Sequence, residues 1–305
     1  MPAATSNQSN GSVGTVLTTS PITTRPMRTE DATECGRIAF EAHQTVSAAH
    51  NFPPEQPSIE FAIGMMNFKL SDPYAYGIVA ERDGVIQGSV FLTSFPPAPM
   101  AAIGPLSVQP SQEGKVGRML MEAALERARE QRFEGVRLVQ SPSHTRSLAL
   151  YTKLGFEVRE PLLLVHGAPP DMPMGERHVR LAEPTDVERC NQVCQMVHGF
   201  RREWQLNGAI QQHVATVVEC AGRITGYAAG IGILGHAVAE TNADLMALIS
   251  QAATYLGPGF FIPTRNGELF RWLLETGFRG LWPATLMTMG RYQEPAGAFL
   301  PAISY

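Results

Sequence analysis

The stretch V-Q-P-S-Q-E-G-K-V-G-R-M-L-M-E-A-A-L, residues 108–125, decides the fold that we expect for this chain. It follows an apolar strand at 100–108, crosses a polar loop that contains glycine, and continues as a helix. In that helix Leu120, Ala124 and Ala128 recur at four-residue steps, which predicts a buried face. The first N–H groups of a helix have no partner within it and lie at the positive end of its dipole. The loop therefore predicts a site for a phosphate-bearing ligand.

A second motif, S-H-T-R-S-L-A-L-Y-T-K-L-G-F, occupies residues 143–156. It predicts a helix over 148–154 that ends at Gly155, because glycine adopts the conformation of a helix stop without steric strain. The same helix carries a phenol, Tyr151. A strand, a loop, a helix and a later helix with an aromatic residue predict a site for an acyl carrier that bears phosphate.

Together the two motifs resemble those of the GCN5-related N-acetyltransferases (GNAT), which carry acetyl from acetyl-CoA to an amine. The family loop reads Gln or Arg, two residues, Gly, one residue, then Gly or Ala. Here Gln112, Val116 and Gly117 take its first, variable and last places. Lys115 departs from the pattern, because it stands where the family has its middle glycine. Gly114 could supply the missing backbone freedom, and the Lys115 ammonium could meet phosphate oxygens.

The resemblance implies that acetyl-CoA binds as a co-substrate along the strand end, the loop and the start of the second motif. The residues that it assigns to acetyl-CoA binding are Leu106, Ser107, Val108, Gln112, Glu113, Gly114, Lys115, Val116, Gly117, Arg118, His144 and Ser147. A backbone N–H from 106–108 would polarise the thioester carbonyl, since a preorganised donor aimed at a developing oxyanion lowers the barrier. The alternative is a plain strand-to-helix turn that binds nothing.

The second motif resembles the family pattern Asn-x-x-Ala-x-x-x-Tyr-x-x-x-Gly-Phe, with His144 and Ser147 in place of Asn and Ala. Tyr151 matches, and the resemblance makes it the catalytic residue that protonates the departing thiolate. The alternatives are an aromatic ring that packs on the sheet and, for His144, an ordinary surface histidine. The general base is not assigned, since no Asp or Glu lies between Val85 and Gln112.

Residues outside these motifs are weaker candidates for the base. Glu60, Asp72 and His50 precede the first hairpin and cannot be told from solvated residues by sequence. A sharper hypothesis gives the role to the carboxylate of Tyr305, because the tail F-L-P-A-I-S-Y is apolar.

Three patches of the first half recur in order in the second, which predicts an internal repeat. The matched positions are Arg25/Arg180, Asp31/Asp186, Cys35/Cys190, His43/His198, Glu81/Glu219 and Gly155-Phe156/Gly277-Phe278. In the second copy Leu273 replaces the tyrosine and no Gln/Gly loop precedes the helix. We therefore expect a degenerate copy that is not catalytic.

The repeat predicts a mixed α/β fold with two tandem GNAT-like domains, each a central mixed sheet flanked by helices. The predicted boundaries are a disordered tail at 1–20, the GNAT acetyl-CoA-binding domain at 21–167, a linker at 168–177, the degenerate domain at 178–291 and a tail at 292–305.

Composition excludes few classes. The net charge of −4 gives no basic field for nucleic acid or an anionic membrane. The longest apolar run, 224–239, holds four glycines and is shorter than the roughly 20 residues of a membrane span. Four cysteines without a paired motif favour a reducing compartment, so we expect a cytoplasmic protein without a metal.

The sequence thus predicts an acetyl-CoA-dependent N-acetyltransferase that acts on an amine of a small molecule or peptide by direct attack. The acceptor, the acyl chain length and a homo-oligomeric state are left open. The rival interpretations are a non-catalytic acyl-CoA-binding regulatory protein and a scaffold that has lost the ligand.

Overall fold

The structure is a computed structural model that describes residues 20–112 and 114–303. The predicted disordered tail at 1–20, apart from Ser20, lies outside the described residues, as do Glu113 and Tyr305. Within the described part the helices are α1 Ala32–Ala49, α2 Ile59–Ser71, α3 Lys115–Glu130, α4 Thr145–Lys153, α5 Val187–His198, α6 Glu203–Gln211, α7 Asn242–Ser250 and α8 Gly267–Glu275. The strands are β1 Thr23–Pro26, β2 Ala75–Arg82, β3 Val85–Phe95, β4 Ala98–Val108, β5 Gly135–Gln140, β6 Glu157–His166, β7 Arg177–Leu181, β8 Ala215–Cys220, β9 Arg223–Ala229, β10 Ala237–Ala239, β11 Phe260–Pro263, β12 Arg279–Gly290 and β13 Ala298–Leu300.

The strands form two sheets. The larger has eight strands in the order β1-β2-β3-β4-β5-β12-β6-β11, and the smaller has five in the order β13-β10-β9-β8-β7. β4 and β5 run parallel, and the other neighbouring strands of the described part are antiparallel. The predicted mixed α/β fold is confirmed.

The two halves exchange strands. β12 follows the last helix of the second half, yet it lies between β5 and β6 of the first half. It pairs Met287 with Leu138 on one side and Ala284 with Leu162 on the other. β6 of the first half in turn lies between β12 and β11 of the second half. Each half therefore places the strand after its last helix between two strands of the other half. The predicted segments 21–167 and 178–291 therefore share one sheet, and their boundaries stay a prediction.

Helices cover both faces of the first half. Along β3, Val90 and Leu92 face the core beneath α3 and α4, whereas Phe91 faces the core beneath α1 and α2. This alternation follows from the strand period of two, because successive side chains point to opposite faces. The predicted inward face of α3, with Leu120 and Ala124, is fully buried against the sheet.

The repeated patches adopt the same geometry in both halves. In each, an arginine of the first strand binds an aspartate at the start of the next helix and a glutamate of the first hairpin. The contacts are Arg25–Asp31 at 2.7 Å, Arg25–Glu81 at 2.9 Å, Arg180–Asp186 at 2.7 Å and Arg180–Glu219 at 2.6 Å. The repeated sequence patches thus correspond to a repeated unit of strand, helix and hairpin in the structure.

Asp31→Asn is expected to lower the free energy of unfolding by about 1–3 kcal/mol at neutral pH, because Arg25 loses a charged partner. The hydrogen bond from Arg25 holds the pKa of Asp31 below its usual value, and a backbone N–H from Arg28 acts in the same direction. A pKa that is lower in the folded state gives stability that is complete above the unfolded value, near about 4, and is lost as the pH falls through the folded value. The difference between wild type and variant should therefore fade below about pH 4.

Urea denaturation at several pH values measures this difference. Asp171→Asn is the control, since Asp171 is exposed, and we expect it to leave stability unchanged. A difference for Asp31→Asn that stayed constant from neutral to acid pH would contradict a role for its charge.

The smaller sheet is completed by the last described strand. β13 pairs with β10 and packs beside β11, where Ala298 and Leu300 join Phe260 and Ile262 in one core. A second core beneath α5 and α6 includes residues of both sheets, so the two sheets pack against each other through it. None of the described helices has the length and apolar character needed to cross a membrane.

Candidate active site

A gap opens between β4 and β5 beyond their short parallel contact. The two strands pair only over Met100–Ala102 and Gly135–Arg137, although β4 runs on to Val108. The cause is a bulge in β4, because Gly104 and Pro105 lie opposite Phe91 alone. A bulge bends its strand and strengthens the local twist, which carries the end of β4 away from β5.

The end of β4 directs peptide groups into this gap. Gln109 donates its N–H to the carbonyl of Gln87 on β3. Since hydrogen-bonded and non-bonded pairs alternate in an antiparallel ladder, Ser107 bonds with β3, whereas Leu106 and Val108 turn their N–H groups away from it. The N–H groups of Leu106 and Val108 therefore point towards the gap. Ser107 does not, because its backbone is used by β3 and its side chain is buried.

The loop after β4 makes one helical turn at Pro110–Gln112 and then enters α3 at Gly114. Gly114 has φ +110° and ψ −84°, a conformation that residues with a Cβ rarely adopt, and no side chain caps the helix. Among the described residues no side chain meets the first N–H groups of α3, and the glycine at 114 permits the sharp turn into the helix.

Gly114→Ala is expected to destabilise the protein by about 1–3 kcal/mol, because a Cβ strains the backbone at a positive φ. Gly117→Ala is the matched control. A Cβ there would lie 3.7 Å from Val108 and 3.9 Å from Leu150, which are ordinary contacts, and we expect no loss of stability. Thermal unfolding of the two variants measures the difference, and equal midpoints would contradict the strain at Gly114.

The other predicted loop residues divide by exposure. The side chain of Val116 is buried in the core, so only its backbone can meet a ligand. Lys115 and Arg118 are exposed on the first turn of α3, where their charges could approach phosphate oxygens, and Arg118 also contacts Glu122 at 3.3 Å. Gln112 is half-buried at the end of the preceding turn.

Two polar residues of the second motif are hydrogen-bonded at the start of α4. Ser147 Oγ lies 2.6 Å from His144 Nδ1, and Tyr151 follows Ser147 one turn later on the same helix. Tyr151 is buried with its ring edge towards Phe156, in the core shared with α3. Burial raises its pKa to about 12, and the Ser147 hydroxyl opposes that rise. The phenol is therefore protonated throughout the physiological range.

His144 is half-buried at the start of α4, unlike the surface histidine that was the alternative. Burial lowers its pKa first, and the charges of His50 and His43 on α1 lower it further. The imidazole is therefore neutral near pH 7, and α1 lies within electrostatic reach of it. His43 Nδ1 on α1 lies 2.7 Å from Glu55 Oε2.

The His43–Glu55 pair had no signal in the sequence, because the two residues are joined through an irregular loop rather than by a helical or strand period. The carboxylates that the sequence did suggest serve local turns. Glu60 lies in the first turn of α2, where its own backbone N–H and the Ser58 hydroxyl lower its pKa. Asp72 accepts the N–H of Tyr74 at 2.9 Å. His50 binds the carbonyl of Val46 at the end of α1.

The second copy has the corresponding helix, α8, but it lacks the phenol. Asn266 caps α8 by accepting the N–H of Leu269 at 3.3 Å, and the isobutyl group of Leu273 lies fully buried where the first copy has its phenol. The described residues hold no cluster suited to a metal ion. The phenol and the glycine-containing loop before α3 therefore belong to the first half.

Comparison with known proteins agrees with this location. The model of the acetyltransferase (GNAT) family matches residues 39–156, which span α1 through the end of the second motif. A comparison with curated proteins finds no match.

Solved structures establish the fold over nearly the whole chain. A putative acetyltransferase from Pyrococcus horikoshii has a TM-score of 0.72 at 16% identity and covers 93% of this chain and 95% of its own. A GCN5-related N-acetyltransferase from Sphaerobacter thermophilus has a TM-score of 0.59 at 14% identity, with coverages of 90% and 98%. A tandem GNAT protein from the clavulanic acid biosynthesis pathway has a TM-score of 0.52 at 14% identity, with coverages of 88% and 98%.

The family model and the geometry thus converge on the same segment, where the loop, the end of β4 and the phenol lie. Residues 39–156 of this chain match the acetyltransferase (GNAT) family, whose members use acetyl-CoA as co-substrate.

Proposed function

We propose that this chain transfers the acetyl group of acetyl-CoA to an amine of a small molecule or peptide, by direct attack of the amine on the thioester. The observation that supports this best is that three elements meet at the first turn of α3. A Cβ on Gly117 would contact both Val108 at the end of β4 and Leu150 on α4. The helix N-terminus, the inward peptide groups and the helix of Tyr151 are therefore neighbours.

Each element has a task in this proposal. The N–H groups at 114–117, together with Gln112, Lys115 and Arg118, hold the pyrophosphate, because a helix N-terminus favours anions. A backbone N–H of Leu106 or Val108 polarises the thioester carbonyl.

Tyr151 donates its proton to the departing thiolate, for which geometry matters more than a matched pKa. His144 and Ser147, at the start of α4, complete the side of the site next to the thiol. Glu113, which the resemblance also assigns to the loop, lies outside the described residues.

Calorimetric titration with acetyl-CoA tests the site. Wild type is expected to bind, and Gly117→Trp is expected to lose binding while staying folded by circular dichroism, because the indole would fill the space between β4 and α4. Gly208→Trp is the matched control, since Gly208 lies on α6 with open space around its Cα. Equal binding by wild type and Gly117→Trp would remove the site from this loop.

The rival is an acyl-CoA-binding protein without turnover. The departure at Lys115 and the unassigned general base favour this rival, whereas the positive φ of Gly114 supports the enzyme, because it supplies backbone freedom in the loop. A panel of polyamines, amino acids and short peptides separates the two. Free CoA released with any of these amines supports the enzyme, whereas binding without release from every amine supports the rival.

A further inference from the structure

His43 lies on the inward face of α1, the helix that packs on β3 and β4 from the side opposite α3. Ala39 and Ser47, one turn before and one turn after it on the same helix face, are both buried. Further along the chain, Phe52 packs against a core that Val139 of β5 also contacts. The segment from Ala39 to Phe52 therefore crosses the gap between β4 and β5, and His43 belongs to that segment.

The internal repeat gives an independent indication of where this histidine points. His198, its counterpart, ends α5 and is buried. The rings of His198 and Phe299 meet edge to face, with their centroids 5.0 Å apart. Phe299 belongs to β13, which stands next to β10 and β11, the strands that correspond to β4 and β5. The equivalent direction from His43 leads into the gap of the first half.

A carboxylate holds the imidazole of His43. Glu55 Oε2 lies 2.7 Å from His43 Nδ1, and the exposed fractions of the histidine and glutamate side chains are 27% and 23%. An ionised carboxylate can only accept a hydrogen bond, so Nδ1 carries the proton and the neutral ring keeps a lone pair on Nε2. Once Nε2 is protonated, the contact becomes a charge-assisted hydrogen bond, which stabilises the imidazolium.

We propose that His43 is the general base that takes the proton of the attacking amine, and that Glu55 is a positioning residue that fixes its tautomer. The proposal rests on the acetyl transfer proposed above, and it assigns the base that the sequence leaves open. In that reaction acetyl-CoA reaches the gap from the face of α3, which leaves the face of α1 for the amine. The alternative is a contact that only ties the loop after α1 to the helix.

Two proton transfers accompany the acetyl transfer, one at each end of the reacting group. The amine lone pair forms the new C–N bond at the thioester carbonyl carbon, and His43 Nε2 removes one N–H proton from the ammonium that results. The C–S bond then breaks with its electron pair on sulfur, and Tyr151 donates its proton to that thiolate. His43 gains as many protons as Tyr151 loses, so exchange with solvent restores both groups without any net change in protons.

His43→Ala tests the base with the amine from the panel that gives the highest turnover. We expect kcat/KM for that amine to fall about 100-fold, within the range of general base effects. The affinity for acetyl-CoA by calorimetry should stay unchanged. Imidazole added to the buffer should restore part of the rate, and substituted imidazoles should restore more of it as their basicity rises.

His50→Ala is the matched control on the same helix. His50 is exposed at the end of α1, where its ring bonds the carbonyl of Val46. This variant should leave kcat/KM unchanged. A loss in His50→Ala with wild-type kcat/KM in His43→Ala would overturn the assignment.

A further measurement needs no turnover. 15N NMR distinguishes a protonated ring nitrogen from one with a lone pair, and the His43 signals are those that vanish in His43→Ala. Wild type should show the lone pair on Nε2, and a lone pair on Nδ1 would overturn the proposal. Glu55→Gln should weaken this preference, because its amide can donate to Nδ1. It should therefore lower kcat/KM by at least about tenfold, since a base in the wrong tautomer cannot accept the proton.

The outcomes separate the base from the reaction that it serves. Wild-type kcat/KM in His43→Ala overturns the base and leaves the acetyl transfer standing. A loss that no imidazole restores also overturns the base, because it then reports a structural role. Absence of turnover by wild type with every amine overturns the proposed function, and the base with it.

Discussion

A chain cut after Glu176 is expected not to fold, although it would contain the whole predicted acetyl-CoA-binding segment. The cut removes β12, which fills the space between β5 and β6 and buries Leu286 and Met287 completely. Both of those strands would then have unpaired edges in the middle of the sheet. Unpaired edges promote association with other chains, so we expect aggregation instead of a stable monomer.

Size-exclusion chromatography and urea denaturation of residues 1–176 measure this outcome. The control is reassembly: residues 1–176 and 177–305, produced together as two chains, should co-purify and recover the circular dichroism of the intact protein. A monomer of 1–176 that unfolds cooperatively would contradict the structural dependence of the first half on the second.

Tyr151→Phe is expected to lower kcat by about 100-fold or more, because the departing thiolate loses its proton donor. The ring is retained, so its contact with Phe156 and the fold should persist. Acetyl-CoA affinity by calorimetry should stay within about twofold of wild type, since the phenol acts on the leaving group after binding.

Tyr255→Phe is the matched control, because that phenol donates to the carbonyl of Ile249 in the second half and lies away from the site. It should leave kcat unchanged. A pH profile adds a second check. Since the pKa of Tyr151 is about 12, wild-type kcat should not fall with deprotonation of this residue below about pH 10.

The sequence predicted those parts of the site that local patterns encode. These parts are the loop, the amphipathic face of α3 and the glycine stop at Gly155. Each depends on residues a few positions apart, and at that range the sequence shows both the hydrophobic period and the positions that need a glycine. At Gly114 the sequence offered a source of the backbone freedom lost with glycine at Lys115, and the residue has a positive φ.

The strand exchange could not be predicted in the same way. An apolar strand such as β12 looks alike whichever neighbour it pairs with, because its pattern records burial and not the identity of its partner. The internal repeat indicated two similar units, but it carries no information on which unit receives which strand.

The side-chain contacts of the polar site residues could also not be predicted from the sequence, for a different reason. His144 and Ser147 were assigned to the ligand by resemblance, and the side chains they would contact depend on rotamers. Their bond of 2.6 Å is a property of the folded helix start. The His43–Glu55 contact depends likewise on the path of an irregular loop.

The position of β13 has a consequence for the second half. β13 lies beside β10 and β11, the counterparts of β4 and β5, which separate in the first half. In the second half this space is therefore taken by β13, a strand of the same chain. A tethered occupant acts at a high effective concentration, so a dissolved molecule of moderate affinity does not displace it. We therefore expect the second half to bind no dissolved ligand between β10 and β11 while β13 is paired there.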